Sequence, residues 1–450
     1  MPTYHLSTPV DATADDLYAW HARPHALHRL LPPWEDTRLV RREGGLEAGA
    51  VTVLDTSIFG PVRVTWEAEH TWCERPTGFD DVQRRGPFAS WVHRHRFHDG
   101  ELTDTVDWSP PAGAVALALA GGALTDRIDR MFRFRHRRTV NDLARRSEPL
   151  RVAITGASGL VGTALTHFLT TTGHTVQPLV RDRSRLGEGA IYWNVRDGEI
   201  DQQALEGVDA VVHLAGASIA SEPWTAERKE VVTRSRVDGT RLLCEALARL
   251  ERPPRVLVSG SAVGFYGDRG DERLTEASSR GDGFLADVCA AWEDAATPAI
   301  DAGLRVVFLR TGIVQSARGA ALATQLPLFR TGGGGPIGGG RQVVPWIHLD
   351  DLVYAIHYCL VTDSLRGPVN GTAPTPVPQR AYAKTLGRVL GRPAFVPAPA
   401  AAVRLALGRE QADELVLSGQ HAEPRALLDA GFVFALPQLE DALRFELGAT

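Results

Sequence analysis

The order of apolar and polar positions divides the chain into three textures. Between residues 39 and 108 apolar residues alternate in period two, over 50–56, 62–70, 91–97 and 102–108, with glycine and proline between the runs. Such alternation predicts half-buried antiparallel strands. A short strand over 4–7 and a helix capped by Asp11 or Thr13 precede them, and an amphipathic helix over about 117–146 follows. From Arg151 strand and helix patterns take turns. Val152 to Ile154 is unbroken apolar sequence, as in a parallel strand buried on both faces. Behind it Leu160, Val161, Ala164, Leu165, Phe168 and Leu169 trace one helix face, which Gly173 closes. Further strands are predicted over 175–180, 210–216, 255–260 and 305–310, and helices over 227–250 and 284–302. From about 399 the pattern is helical. The fold class is therefore α/β, a doubly wound parallel Rossmann sheet with a small C-terminal helical domain, preceded by an α+β domain. The boundaries fall at 1–146, 150–398 and 399–450, and Ser147-Glu-Pro149 is the linker.

Composition narrows the function classes. A chain of 450 residues with 44% hydrophobic and 23% charged residues has the make-up of a globular protein with two or three domains. A formal net charge of −5 gives no basic footprint for nucleic acid, so no such partner is expected. The four cysteines, Cys73, Cys244, Cys289 and Cys359, form no C-x-x-C pair and read as reduced core residues. There is no signal-peptide pattern, and the apolar run 112–124 is too short to span a bilayer. The expectation is a cytoplasmic protein without a membrane partner.

The candidate chemistry begins after the strand at Val152. Gly156, Gly159 and Gly162 stand three residues apart between a strand and a helix, with Ser158 among them. Glycines there permit a tight turn and close approach of a pyrophosphate, and the helix N-terminus offers free N–H donors. The next strand ends in Val180-Arg181-Asp182-Arg183-Ser184-Arg185, where an acid selects NAD and an arginine suits the 2′-phosphate of NADP. The charge there favours NADP(H) over NAD(H). In the first domain Trp91, His93, His95 and Phe97 share one strand face. A His-x-His pair can ligate a metal, but no third ligand follows from the spacing, so the pair is read as cavity lining and no metal is assigned. The segment 331–340, which holds seven glycines and a proline, reads as a mobile loop before a strand, with Asp350 capping the next helix.

Several separated motifs together resemble a known family. Thr155-Gly-Ala-Ser-Gly-Leu-Val-Gly162, His213-Leu-Ala-Gly216, Ser235-Arg236, the stretch 259–267, Phe308-Leu-Arg-Thr-Gly-Ile-Val314 and Trp346-Ile-His348 are similar to the NAD-dependent epimerase/dehydratase group of atypical short-chain dehydrogenases/reductases. Residues from about 400 to 447 resemble the DUF1731 domain of that group, and the element order of the first domain resembles the helix-grip fold of the START and polyketide-cyclase superfamily. The resemblance implies NADP(H) contacts at the glycine turn, at Val180 and Arg181, at Leu214 and Ala215, at Glu230 and Arg236, and at Val314. It also implies a serine at Ser261. The Tyr-x-x-x-Lys pair of classical relatives is missing, because Leu285 and Cys289 stand in its places. Tyr266, beside Asp268 at the sheet's carboxyl edge, is the nearest substitute proton donor, or else an aromatic packing under the cofactor. The expected function is an NADP(H)-dependent oxidoreductase or epimerase acting on a small molecule. The alternative is a non-catalytic NADP(H)-binding protein coupled to a domain that binds an apolar ligand.

Overall fold

The computed structural model describes residues 1–59, 62–110 and 113–449. The predicted run 112–124 begins outside them. The described chain divides into two compact units, one made mainly of residues 1–148 and the other mainly of 149–444. Among the described residues no helix is long and apolar enough to cross a membrane.

In the first unit seven antiparallel strands form one sheet: β1 (Thr3–Pro9), β2 (Thr37–Glu43), β3 (Val51–Phe59), β4 (Val62–Glu74), β5 (Gly78–Arg85), β6 (Ser90–His98) and β7 (Glu101–Ser109), in the order β1-β7-β6-β5-β4-β3-β2. Helices α1 (Ala14–Ala22) and α2 (Ala26–Leu30) follow β1, and the long α3 (Gly113–Leu143) follows the sheet. Of the two candidate caps of α1 the structure uses Thr13, whose hydroxyl accepts from the Asp16 amide while Asp16 accepts from the Thr13 amide. Alternation on β6 and β7 turns Trp91, His93, His95, Phe97, Leu102, Asp104, Val106 and Trp108 inward, all buried. β5 has no counterpart in the sequence pattern. Its Gly-Phe-Asp-Asp-Val-Gln-Arg-Arg lacks an alternating apolar set, and pairing with both neighbours holds it instead.

The second unit is built on eight strands: β8 (Arg151–Thr155), β9 (Thr175–Val180), β10 (Ile191–Asn194), β11 (Glu199–Ile200), β12 (Ala210–His213), β13 (Val256–Ala262), β14 (Arg305–Thr311) and β15 (Gly367–Gly371). Their order is β11-β10-β9-β8-β12-β13-β14-β15, parallel except for β11. The sequence order reverses between β8 and β12, and ligands of such sheets bind at that switch point beyond the carboxyl ends of the strands. Helices α4 (Leu160–Thr171), α5 (Ala226–Leu247), α6 (Phe284–Asp294) and α7 (Leu349–Val361) are its main crossovers. The core follows the pattern of the sequence: Val152, Ile154, Leu165, Phe168, Val212, Val258, Val307 and Leu309 are fully buried together. After α4, Gly173 adopts φ +100° and the His174 amide returns to the Leu169 carbonyl, closing the helix.

Two local expectations are corrected. The cap of α7 is His348, whose ring accepts from the Asp350 amide, while Asp350 lies in the first helical turn. The glycine-rich segment is a packed one. A Cβ on Gly335 would stand 2.2 Å from the Val396 carbonyl, and backbone hydrogen bonds tie Gly334, Pro336 and Gly338 to Val396 and Ala398. Those glycines admit a neighbouring strand of backbone rather than provide freedom.

Candidate functional site

At the switch point the glycine turn is fixed by its own geometry. Gly156 has φ +70°, and a Cβ there would lie 2.9 Å from the carbonyl carbon of Leu214. A Cβ on Gly162 would fall 2.1 Å from the Gly156 carbonyl oxygen. The turn and the first turn of α4 are therefore in close contact, with Ser158 and Gly159 exposed above them. Helices leave their first amides without internal partners, so this end of α4 presents N–H donors to an anion. Thr155, at the tip of β8, holds the facing strand: its hydroxyl accepts from the amides of Leu214 and Ala215, both at 3.1 Å, and donates to His213 Nδ1 at 2.7 Å. Burial then pushes His213 down to about 4, aided by the Arg236 guanidinium, so the ring is neutral.

The end of β9 sorts its charges. Asp182 accepts from the Ser184 amide at 2.9 Å and caps a short 3₁₀ turn, so its carboxylate is committed to the backbone. Arg183 pairs with Glu199 at 2.7 Å and lies 3.8 Å from the centre of the Tyr192 ring. Arg181 and Arg185 are exposed. Val180 is half-buried beside them.

From the turn a chain of contacts runs along the carboxyl edge of the sheet. Gly216 abuts Arg236, whose Cζ would be 3.2 Å from a Cβ there. Arg236 donates to the Ala217 and Val232 carbonyls and stacks 5.0 Å over Trp292, which in turn crowds Gly260. Next to Gly260, Ser261 donates to Glu293 Oε1 at 2.7 Å. Arg310 grips the same carboxylate through Nε and Nη2, both at 2.8 Å, and its Nη1 donates to the Tyr266 hydroxyl at 3.1 Å. That hydroxyl donates onward to Asn370 Oδ1 at 2.7 Å. Glu276 accepts from the Asn370 and Ala426 amides, and burial raises its carboxyl above the usual range.

The structure thus brings together Gly156, Gly162, Leu214, Ala215, Arg236 and Ser261. Val314 packs on the same core beside β14, whereas Glu230 is exposed on α5 and pairs with Arg234 at 3.3 Å. Tyr266 is fully buried, and burial raises its hydroxyl while Arg310 and Asn370 occupy it. Of its two expected roles, this placement favours the packing one over the proton donor. The Val263–Tyr266 turn presses on α6 where the tyrosine and lysine of relatives would stand: a Cβ on Gly264 would meet Leu285 at 3.1 Å and Cys289 Sγ at 3.8 Å. Burial pushes the Cys289 thiol up to about 11. A C-terminal segment covers this end. Glu414 accepts from the Phe284 and Leu285 amides at 3.0 and 2.8 Å, and Glu410 pairs with Lys229.

Nothing in the sequence pattern marks Glu293, in a helix, Glu276, in a loop, or Asn370, within the short strand β15. Arg310 carried a usable signal, because a charge inside a fully buried strand requires a buried partner.

The first unit has its own polar centre. The β5–β6 register places Asp81 opposite His93, and the β6–β7 register places His95 opposite Asp104. Asp81 Oδ2 lies 3.0 Å from His93 Nδ1, and Asp104 Oδ1 lies 3.2 Å from His93 Nε2 and 2.6 Å from His95 Nδ1. The missing third partner of the His-x-His pair is therefore Asp81, hidden from the sequence because β5 carried no strand pattern. Burial opposes a charge on His93, yet Asp81 and Asp104 on either side push it up to about 9, whereas burial and His93 hold His95 down to about 4. Asp81, His93 and His95 line a cavity of about 190 Å³ whose other walls include Leu54, Trp66, Phe79, Phe88, Trp91 and Met131.

A switch-point glycine turn on a doubly wound sheet defines a Rossmann-type dinucleotide-binding protein, here with a cavity-bearing helix-grip unit ahead of it. Comparison with known proteins makes this specific. Residues 152–370 match the NAD dependent epimerase/dehydratase family, 398–446 match DUF1731, a domain of unknown function, and 10–134 match the polyketide cyclase/dehydrase and lipid transport family. An epimerase family protein of Mycobacterium bovis is 42% identical over 294 residues, which is 65% of this chain and 96% of that one. A solved nucleoside-diphosphate sugar epimerase from Corynebacterium glutamicum aligns over 99% of this chain and 90% of its own, with a TM-score of 0.79 and 33% identity. The human epimerase family protein SDR39U1, solved with NADPH, aligns over 66% of this chain and 99% of its own, with a TM-score of 0.61 and 34% identity. The chain belongs to the NAD-dependent epimerase/dehydratase family of atypical short-chain dehydrogenases/reductases, in the group of SDR39U1.

Proposed function

We propose that the chain is an NADP(H)-dependent oxidoreductase of the epimerase-like class acting on a small molecule. The observation that carries the cofactor preference is the end of β9. The single acid there, Asp182, is spent on capping, while Arg181 and Arg185 stay exposed. The human relative solved with NADPH supports the same preference. The glycine turn fits a dinucleotide, since Gly156 and Gly162 let the Leu214 backbone, the turn and the start of α4 close on one another and leave Ser158 and Gly159 exposed at the helix N-terminus, where a pyrophosphate can approach.

When bound, the nicotinamide supplies or removes hydride. The protein's own residues do the rest. The first amides of α4 would hold the pyrophosphate, Leu214 and Ala215 form the facing wall, and Arg236 braces that wall from behind. Ser261, whose one hydroxyl proton goes to Glu293, presents its oxygen as an acceptor to a substrate hydroxyl, and Arg310 holds Glu293 in place. Tyr266 is a positioning residue that holds Arg310. The first unit takes an apolar ligand in its cavity.

The test is a titration of the full chain with NADPH and with NADH, followed by nicotinamide fluorescence and repeated on Arg181→Ala. Loss of one charge-assisted contact of about 1.5–3 kcal/mol corresponds to a weakening of roughly tenfold or more for NADPH, with NADH unchanged. Equal affinity for both nucleotides in the wild type would remove the preference. A second reading, a non-catalytic NADP(H)-binding protein, is favoured by Leu285 and Cys289 at the catalytic positions. Turnover on a panel of carbonyl compounds and sugar nucleotides that falls in Ser261→Ala supports the enzyme; tight binding without any hydride exchange supports the binder.

A further inference from the structure

The inward face of the first unit gathers more ionisable chemistry than an apolar pocket requires. Asp81, His93 and His95 meet there, and one ligand atom from each lies within 4.8 Å of the others. Asp81 Oδ2 stands 3.0 Å from His93 Nδ1 and 3.9 Å from His95 Nε2. Bonds of about 2.0–2.2 Å to a shared ion separate neighbouring donors by roughly 3–3.5 Å, which these distances bracket.

The opposite nitrogens are equally organised. His93 Nε2 and His95 Nδ1 both face Asp104 Oδ1, at 3.2 and 2.6 Å. Asp104 is held in turn by His136 Nε2 at 2.8 Å, and His136 Nδ1 reaches the Thr8 hydroxyl at 2.8 Å. Asp104 therefore takes the far N–H of His93 and stands beside the far nitrogen of His95, which leaves His93 Nδ1 and His95 Nε2 on the side of Asp81. A carboxylate behind each histidine is the arrangement that fixes tautomer and ring orientation around a metal. Asp81, His93 and His95 line the cavity, whereas Asp104 lies outside its lining. Three ligands are thus on the wall and the remaining positions open inward. Three protein ligands with an open position distinguish a reactive or ligand-binding centre from a closed structural one.

We propose that Asp81, His93 and His95 bind a single divalent transition-metal ion whose open coordination positions face the apolar cavity. Two imidazole nitrogens, one carboxylate oxygen and no thiolate suit a borderline ion such as zinc or iron(II) rather than magnesium or calcium. Without the ion, the same groups form a buried ion-pair cluster of the kind that apolar side chains replace at no loss of stability. The open positions take water, or an oxygen donor on an otherwise apolar ligand.

The experiment uses the full chain, stripped with a chelator and titrated with Co²⁺ by visible absorption and with Zn²⁺ by calorimetry. One ion per chain at micromolar concentration or tighter is expected. His95→Gln and Asp81→Asn should each weaken it at least 100-fold. Asp104→Asn, which keeps all three ligands but changes what orients them, should weaken it about 10- to 100-fold. Far-ultraviolet circular dichroism checks that each variant is folded, and Asp81→Asn, an almost isosteric change, stands if the histidine variant does not fold. No uptake by the wild type would overturn the proposal and leave a hydrogen-bonded imidazolium cluster. Uptake that is unchanged in a folded Asp81→Asn would overturn it equally.

Discussion

At the scale of single residues the glycine turn is the most constrained part of the chain. Gly162 is helical, so its need is one of space: a methyl group would sit 2.1 Å from the Gly156 carbonyl oxygen, a separation no backbone tolerates. Gly162→Ala must therefore push α4 away from the turn. Overpacking of this kind costs about 1–3 kcal/mol, and the displaced amides lose their aim at the pyrophosphate. The variant should unfold at lower denaturant concentration and bind NADPH at least tenfold more weakly by fluorescence titration. Gly159 is the contrasting control. A Cβ there would meet only the Gly156 oxygen, at 3.3 Å, so Gly159→Ala should keep its stability to within about 1 kcal/mol.

At the scale of elements, what was legible in the sequence depended on whether an element's own residues carry its pattern. The strand Val152 to Ile154, the face of α4 and the inward set of β6 declare themselves, because burial on one or both faces demands apolar residues at fixed intervals. β5 does not, since two neighbouring strands pair it whatever its side chains, and with it Asp81 stayed hidden. The glycine turn and Arg181 were legible because a local conformation and a local charge suffice to mark them. The Glu293–Arg310 pair was not, because it joins a helix and a strand 17 residues apart through a contact that only the fold creates. The start of α6 makes the same point. Gly283 offers no side-chain cap, and the amides of Phe284 and Leu285 are satisfied by Glu414, 130 and 129 residues away. Removing that carboxylate in Glu414→Ala should cost about 0.5–2 kcal/mol, the usual value of a lost cap. The same change releases the segment that covers this end, so amide hydrogen exchange should quicken at residues 409–417 and at the start of α6. Unchanged exchange at both places would show that the cap does not hold the segment.

At the scale of the whole molecule the two units share one sensitivity, to acid. Burial holds His213 down to about 4 in the second unit, with Arg236 adding to it, and holds His21 down to about 3 in the first, with His95 adding to it. Both rings have folded values below the 6.5 of an exposed histidine, so between about pH 6.5 and 4 the unfolded chain binds more protons than the folded one. Stability rises with pH wherever that holds. It is therefore fully present above about pH 6.5 and is lost as the pH falls, by up to about 3 kcal/mol for His213 taken to about pH 4 and about 5 kcal/mol for His21 taken to about pH 3. The melting temperature should accordingly hold above about pH 6.5 and fall as the pH drops below it. In His213→Gln that acid limb should flatten between pH 7 and 5, because the removed ring titrates there. An acid limb as steep in that variant as in the wild type would mean that the neutral state of His213 does not contribute to it.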